Sequence, residues 1–265
     1  MGDKTKIEWA DATWNPVTGC LHGCEYCYAA RAAKRFGGHT SGEAKIIDLN
    51  DGMAPRYLLE KPLRNIWSDE SETGAPFPFG FAPTFHRYRL GIPERWTKPR
   101  TIFVCSVADI FGDWIPYNWI EEVFRACTAA PQHRYLFLTK NPQRYAAMYL
   151  LDLMPRQDNF WYGTSVTNEK SKIRFLGKDE WKIHTFWSME PLLGPVEMDG
   201  EKGTPEWVIL GAETGNRKGK VKPEKAWIDS ITAFCDKSSI PVFMKDSLIP
   251  IVGEDNMRRE FPWES

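Results

Sequence analysis

Three cysteines near the N-terminus, Cys20, Cys24 and Cys27, are spaced C-x3-C-x2-C in the run TWNPVTGCLHGCEYCYA. Thiolates are soft ligands that bind zinc and the irons of iron–sulfur clusters. Four thiolates would complete the coordination of a metal site, whereas three leave one position open for another ligand. The spacing therefore predicts a zinc or iron–sulfur site at which a further molecule can bind.

The same three cysteines are compatible with several kinds of chemistry. Zinc needs a fourth ligand, and His22 inside the loop could supply it. Unrelated buried thiols would involve no metal, but such thiols seldom cluster at this spacing. A disulfide framework is disfavoured, because six cysteines in 265 residues are few and a chain of this length can build its own core. The remaining cysteines, Cys105, Cys127 and Cys235, lie in apolar runs and are predicted to be core residues.

The charge and hydropathy of the chain restrict its class. A net charge of −1 argues against a globally basic nucleic-acid-binding protein, although a local basic groove remains compatible. No run approaches the roughly 20 apolar residues of a membrane span, and the N-terminal sequence MGDKTKIEWA lacks the apolar core of a signal peptide. We therefore expect a cytoplasmic protein with no membrane partner, in a compartment where thiols stay reduced.

Short apolar runs alternate with amphipathic stretches along most of the chain. The runs lack clean alternation of apolar and polar residues, which is typical of strands buried on both faces of a parallel sheet. The predicted strands are Trp14–Thr18, Thr101–Val107, Arg134–Thr139, Phe160–Val166, His184–Met189, Trp207–Gly211 and Pro241–Lys245, and the predicted helices are Tyr117–Ala129, Pro142–Leu153 and Lys225–Lys237. This alternation predicts an α/β fold, a partial or nearly closed parallel barrel of six or seven β/α units.

Residues 37–100 interrupt the alternation and are predicted to form a loop-rich insertion after the first β/α unit. They are rich in Gly, Pro, Ser and Phe, with a short predicted helix around Pro55–Ile66. The many aromatic residues indicate that the insertion packs onto the rest of the protein. The prediction is thus one domain over residues 1–265 that carries an insertion at about 37–100.

Polar residues follow every predicted strand. Because the carboxyl ends of parallel strands meet at one edge of the sheet, we expect these side chains to surround the same site as the cysteine loop. Ser, Thr, Asn and Asp are also ordinary helix caps, whereas Lys and Glu are poor caps and costly to bury unpaired. The candidate catalytic residues are therefore Lys140, Glu190, Glu213 and Lys245.

The cysteine loop, in which Tyr26 precedes Cys27, resembles the signature of the radical S-adenosylmethionine (SAM) superfamily. The resemblance implies that the three cysteines hold three irons of a 4Fe-4S cluster, and that the amino and carboxylate groups of SAM chelate the fourth. It further implies reductive cleavage of SAM, hydrogen abstraction by the resulting 5′-deoxyadenosyl radical, and a reductant such as flavodoxin or ferredoxin. The fold that it implies is a radical SAM type barrel of about six repeats.

The same resemblance suggests where SAM would bind. The end of the second predicted strand would meet the amino group, but the chain lacks the Gly-Gly-Glu run often found there, so Ser106 and Asp109 would substitute. Tyr26 would flank the adenine, mainly through its backbone. The end of the fourth predicted strand would meet the ribose, and the residues concerned are Ser165, Thr167 and Asn168.

Longer segments extend the resemblance over most of residues 5–250. They are IEWADATWNPVTGC, FLTKNP, SMEPLLGP and WVILGAETG. Together they resemble a family of phage- and prophage-encoded proteins with this three-cysteine loop, described as radical-SAM-like or of unknown function. This resemblance favours an enzyme and a nucleic-acid substrate, but it implies no particular substrate.

Two segments are locally basic. Residues 86–100 and 216–225 each hold five Lys or Arg and one Glu, and the first also contains Tyr88 and Trp96. Cations beside aromatic rings suit a phosphate backbone with stacked bases, although solvated loops would show the same composition. The candidate nucleic-acid contacts are Arg87, Arg89, Arg95, Arg217, Lys218 and Lys220.

These features predict a radical SAM enzyme that uses a 4Fe-4S cluster to abstract hydrogen from a base or nucleotide of DNA or RNA. Modification or repair of a base would require the base to leave its stack. Two alternatives remain: a radical SAM enzyme that acts on a peptide or small metabolite, and a non-catalytic zinc or cluster module that binds nucleic acid.

Overall fold

The computed structural model describes residues 5–38, 40–47, 52, 54–65, 74–171, 181–198 and 204–264. The chain divides into two compact units, Met1–Leu136 and Phe137–Ser265. Within the described parts of both units, no helix is long and apolar enough to cross a membrane. The cytoplasmic location stays a prediction.

The first unit contains two kinds of sheet. Its strands are β1 (Ala12–Trp14), β2 (Val17–Thr18), β3 (Thr40–Ser41), β4 (Lys45–Ile47), β5 (Arg56–Leu59), β6 (Arg64–Asn65), β7 (Thr84–His86), β8 (Thr101–Val104) and the start of β9 (Arg134–Thr139), and its helices are α1 (Tyr28–Phe36) and α2 (Tyr117–Ala129). Strands β1, β8 and β9 are adjacent in that order and pair in parallel. Strands β2, β7, β5 and β4 form a separate four-stranded sheet, and β3 pairs with β6.

The predicted strand Trp14–Thr18 is divided between the two sheets. Strand β1 ends at Trp14, and after Asn15 and Pro16 the chain continues as β2, which pairs antiparallel with β7. Proline has no N–H to give to a ladder and restricts the residue before it, so the Asn15–Pro16 step is where the chain leaves the parallel strands. The cysteine loop therefore follows a strand of the four-stranded sheet.

The region 37–100 contains strands where a helix was predicted. The predicted helix around Pro55–Ile66 is wrong for the described residues, because Arg56–Leu59 is a strand that pairs with β7 and β4. Cross-strand packing here overrides local propensity. Ile66 lies outside the described residues. The prediction that the aromatic residues pack is confirmed for Phe77 and Phe85, which are buried, and for Phe79, which stacks on Tyr57.

The second unit continues the alternation of strands and helices. It contains the end of β9, strands β10 (Phe160–Ser165), β11 (His184–Met189), β12 (Trp207–Leu210) and β13 (Val242–Met244), and helices α3 (Gln143–Leu150), α4 (Lys225–Lys237) and α5 (Ile249–Val252). Strands β10 to β13 are adjacent in chain order and each neighbouring pair is parallel. Apolar residues of β11, β12 and β13 pack with Ile228, Ile231 and Cys235 of α4 in a buried core.

The predicted α/β class and its parallel strands are confirmed. Strands β9 and β11 and helices α2 and α4 have the predicted bounds. Strand β8 is three residues shorter than predicted and ends before Cys105, whose φ of 55° lies in the left-handed region. The predicted burial of Cys105, Cys127 and Cys235 is confirmed.

Candidate functional site

The cysteine loop begins at a position that only glycine fits. Gly19 has a φ of 87°, and a Cβ atom there would lie 2.3 Å from the carbonyl oxygen of Ala82. Its N–H donates to the carbonyl of Val107 at 3.2 Å, and the N–H of Cys20 donates to the carbonyl of Phe81 at 3.2 Å. These bonds tie the start of the loop to the segment after β8 and to the segment before β7.

The end of the loop is fixed by the first turn of α1. Cys27 is the N-cap of this helix, and its Sγ accepts a hydrogen bond from the N–H of Ala30 at 3.3 Å. The N–H of Cys27 itself donates to the carbonyl of Cys24 at 3.1 Å. All three cysteines of the loop are half-buried, in contrast to the buried Cys105, Cys127 and Cys235. The loop thus presents its thiols at the edge of the unit.

Electrostatics link the three thiols. Burial raises the pKa of Cys20 to about 12, although a hydrogen bond from the backbone of His22 opposes the shift. Negative charge on Asp109, Cys24 and Cys27 raises that pKa further. A bound cation would oppose this shift and stabilise the Cys20 thiolate.

The three thiols match a metal or a cluster in ligand type and number. No group of three His, Cys, Asp or Glu side chains in the described residues is already arranged to hold a metal ion. Metal binding to such a loop would therefore be coupled to a local rearrangement that brings the sulfurs to ligand distance.

His22 joins the cysteine loop to the segment that follows β8. Its Nε2 donates to Oδ2 of Asp109 at 2.6 Å, because a carboxylate can only accept. The other oxygen of Asp109 accepts from the N–H of Phe111 at 3.0 Å, and the His22 ring meets the Trp114 ring edge to face at 4.8 Å. The sequence suggested His22 as a zinc ligand and Asp109 as a SAM contact, but it did not reveal that they pair.

A second set of hydrogen bonds holds the segment that follows β8. Ser106 Oγ donates to Oδ1 of Asn15 at 3.1 Å, and Tyr28 donates through its hydroxyl to the carbonyl of Ser106 at 2.6 Å. Ser106 was predicted to meet the amino group of SAM, and in this structure its hydroxyl bonds Asn15. Asn15 was missed, because its role depends on a contact between residues far apart in sequence. Tyr26 is half-buried in the loop, and its predicted place beside adenine stays a prediction.

In the second unit, acidic and basic residues form ion pairs after the strands. Glu190, which follows β11, pairs with Lys245, which follows β13. Gly211 leaves room for this pair, since a Cβ atom there would lie 3.1 Å from Cγ of Glu190 and 3.2 Å from Cδ of Lys245. Lys140 follows β9 and is half-buried. Internal ion pairing thus lowers the cost of burying Glu190 and Lys245.

Glu213 follows β12 and makes a bidentate ion pair with Arg217. Its side chain is 3% exposed, and its two oxygens accept from Nε and Nη2 of Arg217 at 2.6 and 2.7 Å. This bidentate geometry is the strong form of a charge-assisted hydrogen bond. None of the four predicted catalytic residues is exposed, and their roles in catalysis stay predictions.

The residues predicted to bind ribose make turn contacts after β10. The backbone N–H groups of Thr167 and Asn168 donate to the hydroxyl of Ser171 at 2.9 and 3.3 Å, and Oδ1 of Asn168 accepts from the N–H of Lys170. Ser165 is half-buried at the end of the strand. These contacts shape the turn, and the ribose site stays a prediction.

The first predicted basic segment is largely engaged within its own unit. Nε and Nη2 of Arg87 donate to the carboxylate of Glu122 at 2.8 and 2.9 Å, and its Nη1 donates to Glu60. Arg89 is 5% exposed, donates to the carbonyl of Asn15, and has its pKa lowered by burial. Arg89 therefore does not reach the surface at which a phosphate backbone would bind.

The remaining predicted nucleic-acid contacts differ in availability. Arg217 is held by Glu213, as described above, whereas Arg95, Lys218 and Lys220 are exposed. The two basic segments thus offer fewer available cations than their composition suggests. Charge counts along a sequence do not show which cations are paired inside the protein.

Parallel strands, together with a three-thiol loop that caps the first helix, define an α/β protein with a candidate metal centre. The chain belongs to the family described as "Protein of unknown function (DUF5131)", whose model matches residues 4–248. No curated protein and no solved structure matches the chain.

This membership corrects the family assignment made from sequence motifs. Assignment to the radical SAM superfamily, and to a phage- and prophage-encoded three-cysteine family, is wrong, because the family model that matches is DUF5131. Three cysteines at a short spacing form a small motif. Such a motif shows which ligands are present, but it does not establish that two proteins share an ancestor.

Proposed function

We propose that this chain is an enzyme in which Cys20, Cys24 and Cys27 hold a 4Fe-4S cluster, and that it cleaves SAM reductively to abstract hydrogen from a nucleic-acid base or nucleotide. The observation that carries the proposal is the loop that presents three half-buried thiols, with Cys27 held as the N-cap of α1. When bound, the cluster would supply the electron for SAM cleavage, replenished by a reductant such as flavodoxin or ferredoxin. The finer fold expectation, a barrel of radical SAM type, is part of this proposal.

The protein's own residues would prepare the thiols for the cluster. Cys27 is held by the first turn of α1, and Gly19 sets the direction in which the chain enters the loop. His22 and Asp109 clamp the middle of the loop to the segment after β8. Such outer contacts orient ligands, and their loss commonly weakens metal binding by roughly 10- to 100-fold.

The strand-end residues of the second unit would serve the reacting molecules. Lys245 and Glu190 form a partly accessible pair that could hold or move a proton, with side chains 14% and 25% exposed. Glu213 is much less accessible, and its carboxylate is held by Arg217. These assignments make Lys245 and Glu190 the first residues to test for roles in catalysis.

A second candidate function is a zinc-dependent module that binds nucleic acid without catalysis. The observation that favours it is the bond from Nε2 of His22 to Asp109. Zinc-binding histidines usually donate their other ring N–H to a carboxylate, so Nδ1 of His22 would be the fourth ligand beside three thiolates.

Anaerobic purification separates the two candidates. We expect a brown protein that contains iron and acid-labile sulfide in the ratio of a 4Fe-4S cluster, and that releases 5′-deoxyadenosine from SAM when a reductant is added. The triple variant C20A/C24A/C27A should lose both properties. Cys235→Ala, which removes a buried thiol of α4, is the matched control and should keep them.

A colourless protein that holds stoichiometric zinc and loses it in the triple variant would instead support the zinc module. A cluster that persists in C20A/C24A/C27A would contradict both candidates. Product analysis with DNA, RNA, nucleotides and peptides then tests the substrate class, and turnover of a peptide alone would replace the nucleic-acid part of the proposal.

A further inference from the structure

Helix α1 follows directly from the third cysteine and carries only positive charge. Its sequence, YAARAAKRF, contains Arg31, Lys34 and Arg35 and no acidic residue. All three cations are exposed. This concentration of charge contrasts with the net charge of −1 of the whole chain.

Two exposed aromatic rings accompany these cations. Tyr28 is 54% exposed and Phe36 is 55% exposed, so both rings present apolar surface to solvent. The Tyr28 hydroxyl is held by the carbonyl of Ser106 at 2.6 Å, so the ring has a fixed position. The guanidinium of Arg35 lies 5.0 Å from the centre of the Phe36 ring.

Helical periodicity places three of these residues on one side of α1, with Lys34 and Phe36 at the two margins of that side. Tyr28, Arg31 and Arg35 are separated by three and then four residues, so they share one side of the helix, over about 10 Å of its length. The buried residues Ala29 and Ala33 lie on the opposite side. We call the exposed set Tyr28, Arg31, Lys34, Arg35 and Phe36 the basic–aromatic face.

We infer that the basic–aromatic face of α1 binds single-stranded nucleic acid and brings a base next to Cys27. The cations match a phosphate backbone, and exposed rings match unstacked bases, which duplexes do not offer. This inference rests on the proposed function for the substrate class, and it names a surface that neither predicted basic segment includes.

The chemistry of the face favours nucleic acid over an anionic membrane. Helices that lie in a membrane surface need a wide apolar face, whereas the side of α1 opposite the cations buries only two alanines. Exposed rings beside cations are instead the combination found in grooves that bind single strands. Tyr28 is adjacent to Cys27, so a base stacked on its ring would lie beside the cysteine loop.

The test is fluorescence anisotropy with a labelled oligodeoxythymidine of about 12 nucleotides, measured over a salt series with anaerobically purified protein. Three phosphate contacts predict a log–log salt slope of roughly −2 for a single strand. The variant R31E/K34E/R35E should bind at least about tenfold more weakly and lose most of that slope. Phe36→Ala should weaken binding roughly tenfold through lost stacking.

The matched control is K6E/K182E/K237E, which reverses three exposed lysines elsewhere and changes the net charge equally. It should bind within about twofold of the wild type. A second comparison, K218E/K220E, tests the exposed cations of the predicted basic segment. Stronger loss of binding in K218E/K220E than in R31E/K34E/R35E would overturn the assignment to α1.

Binding to a duplex, binding to anionic vesicles and a SAM cleavage assay separate the remaining outcomes. Equal affinity for a duplex of the same length, or binding to anionic phosphatidylserine vesicles in place of the oligonucleotide, would overturn the inference. SAM cleavage without nucleic acid is measured in every variant. If R31E/K34E/R35E binds the oligonucleotide normally and still cleaves SAM, the α1 inference fails and the proposed function stands. If the wild type binds the oligonucleotide through α1 but never cleaves SAM, the α1 inference stands and the proposed function fails.

Discussion

Nε2 of His22 lies 2.6 Å from Oδ2 of Asp109, and this bond connects the cysteine loop to the segment that follows β8. Asp109 is buried, and its second oxygen is used by the N–H of Phe111. One carboxylate therefore fixes both the loop and the turn that follows β8. The hydrogen bond between His22 and Asp109 thus fixes the loop at a point between its first and second cysteines.

We expect Asp109→Asn to weaken metal retention by roughly 10- to 100-fold, because the charged partner of His22 is lost while the shape is kept. Metal content is measured during stepwise titration with a chelator. Asp113→Asn, at an exposed position four residues later, is the control and should retain metal like the wild type. Equal retention in both variants would show that the pair does not support the metal centre.

Gly19→Ala should destabilise the protein by about 2 kcal/mol or more, because a Cβ atom would meet the carbonyl of Ala82 at 2.3 Å in addition to the strain of a positive φ. Gly23→Ala is the matched control, since Gly23 has a φ of 66° and no atom within 4 Å of the added Cβ. Its cost should be about 1 kcal/mol. Urea unfolding of both variants measures the difference, and equal costs would contradict the close approach at Gly19.

Arg217→Met should cost about 3 kcal/mol, because it leaves the carboxylate of Glu213 buried without its bidentate partner. Lys225→Met removes the cation of an exposed pair with Asp229, and it should cost less than about 1 kcal/mol. Thermal and urea unfolding provide the comparison. A small effect of Arg217→Met would indicate that Glu213 is solvated in solution.

Stability should fall with acid because of His86. This side chain is buried, and burial together with the charge of Arg89 lowers its pKa well below 6.5. Below about pH 6.5 the unfolded chain binds a proton that the folded protein does not, so the free energy of unfolding falls by up to about 1.4 kcal/mol per pH unit. Above that pH this contribution is constant.

His86→Gln should remove that pH dependence between about pH 5 and 6.5, whatever its effect on stability at neutral pH. The free energy of unfolding is measured in urea at several pH values for the variant and the wild type. His184→Gln, which removes the half-buried partner of Glu206, measures how much another histidine contributes over the same pH range. An unchanged slope in His86→Gln would assign the acid sensitivity to other groups.

The sequence alone was sufficient for most of the parallel strands and their helices. Apolar runs such as Arg134–Thr139 and His184–Met189, and the helical period of Tyr117–Ala129, are local signals that packing in the core reinforces. Residues 55–65 were mispredicted because partners 27 residues away, such as Phe85 opposite Leu58, decide their conformation.

For the site, the sequence alone showed that three thiols share one loop, because the three cysteines are close together along the chain. Only the tertiary structure decided which charged residues are free to act. It paired His22 with Asp109, Arg87 with Glu122 and Arg217 with Glu213, and it left the cations of α1 exposed. The physical reason is that burial and ion pairing depend on residues far apart in the chain, whereas composition records charges without their partners.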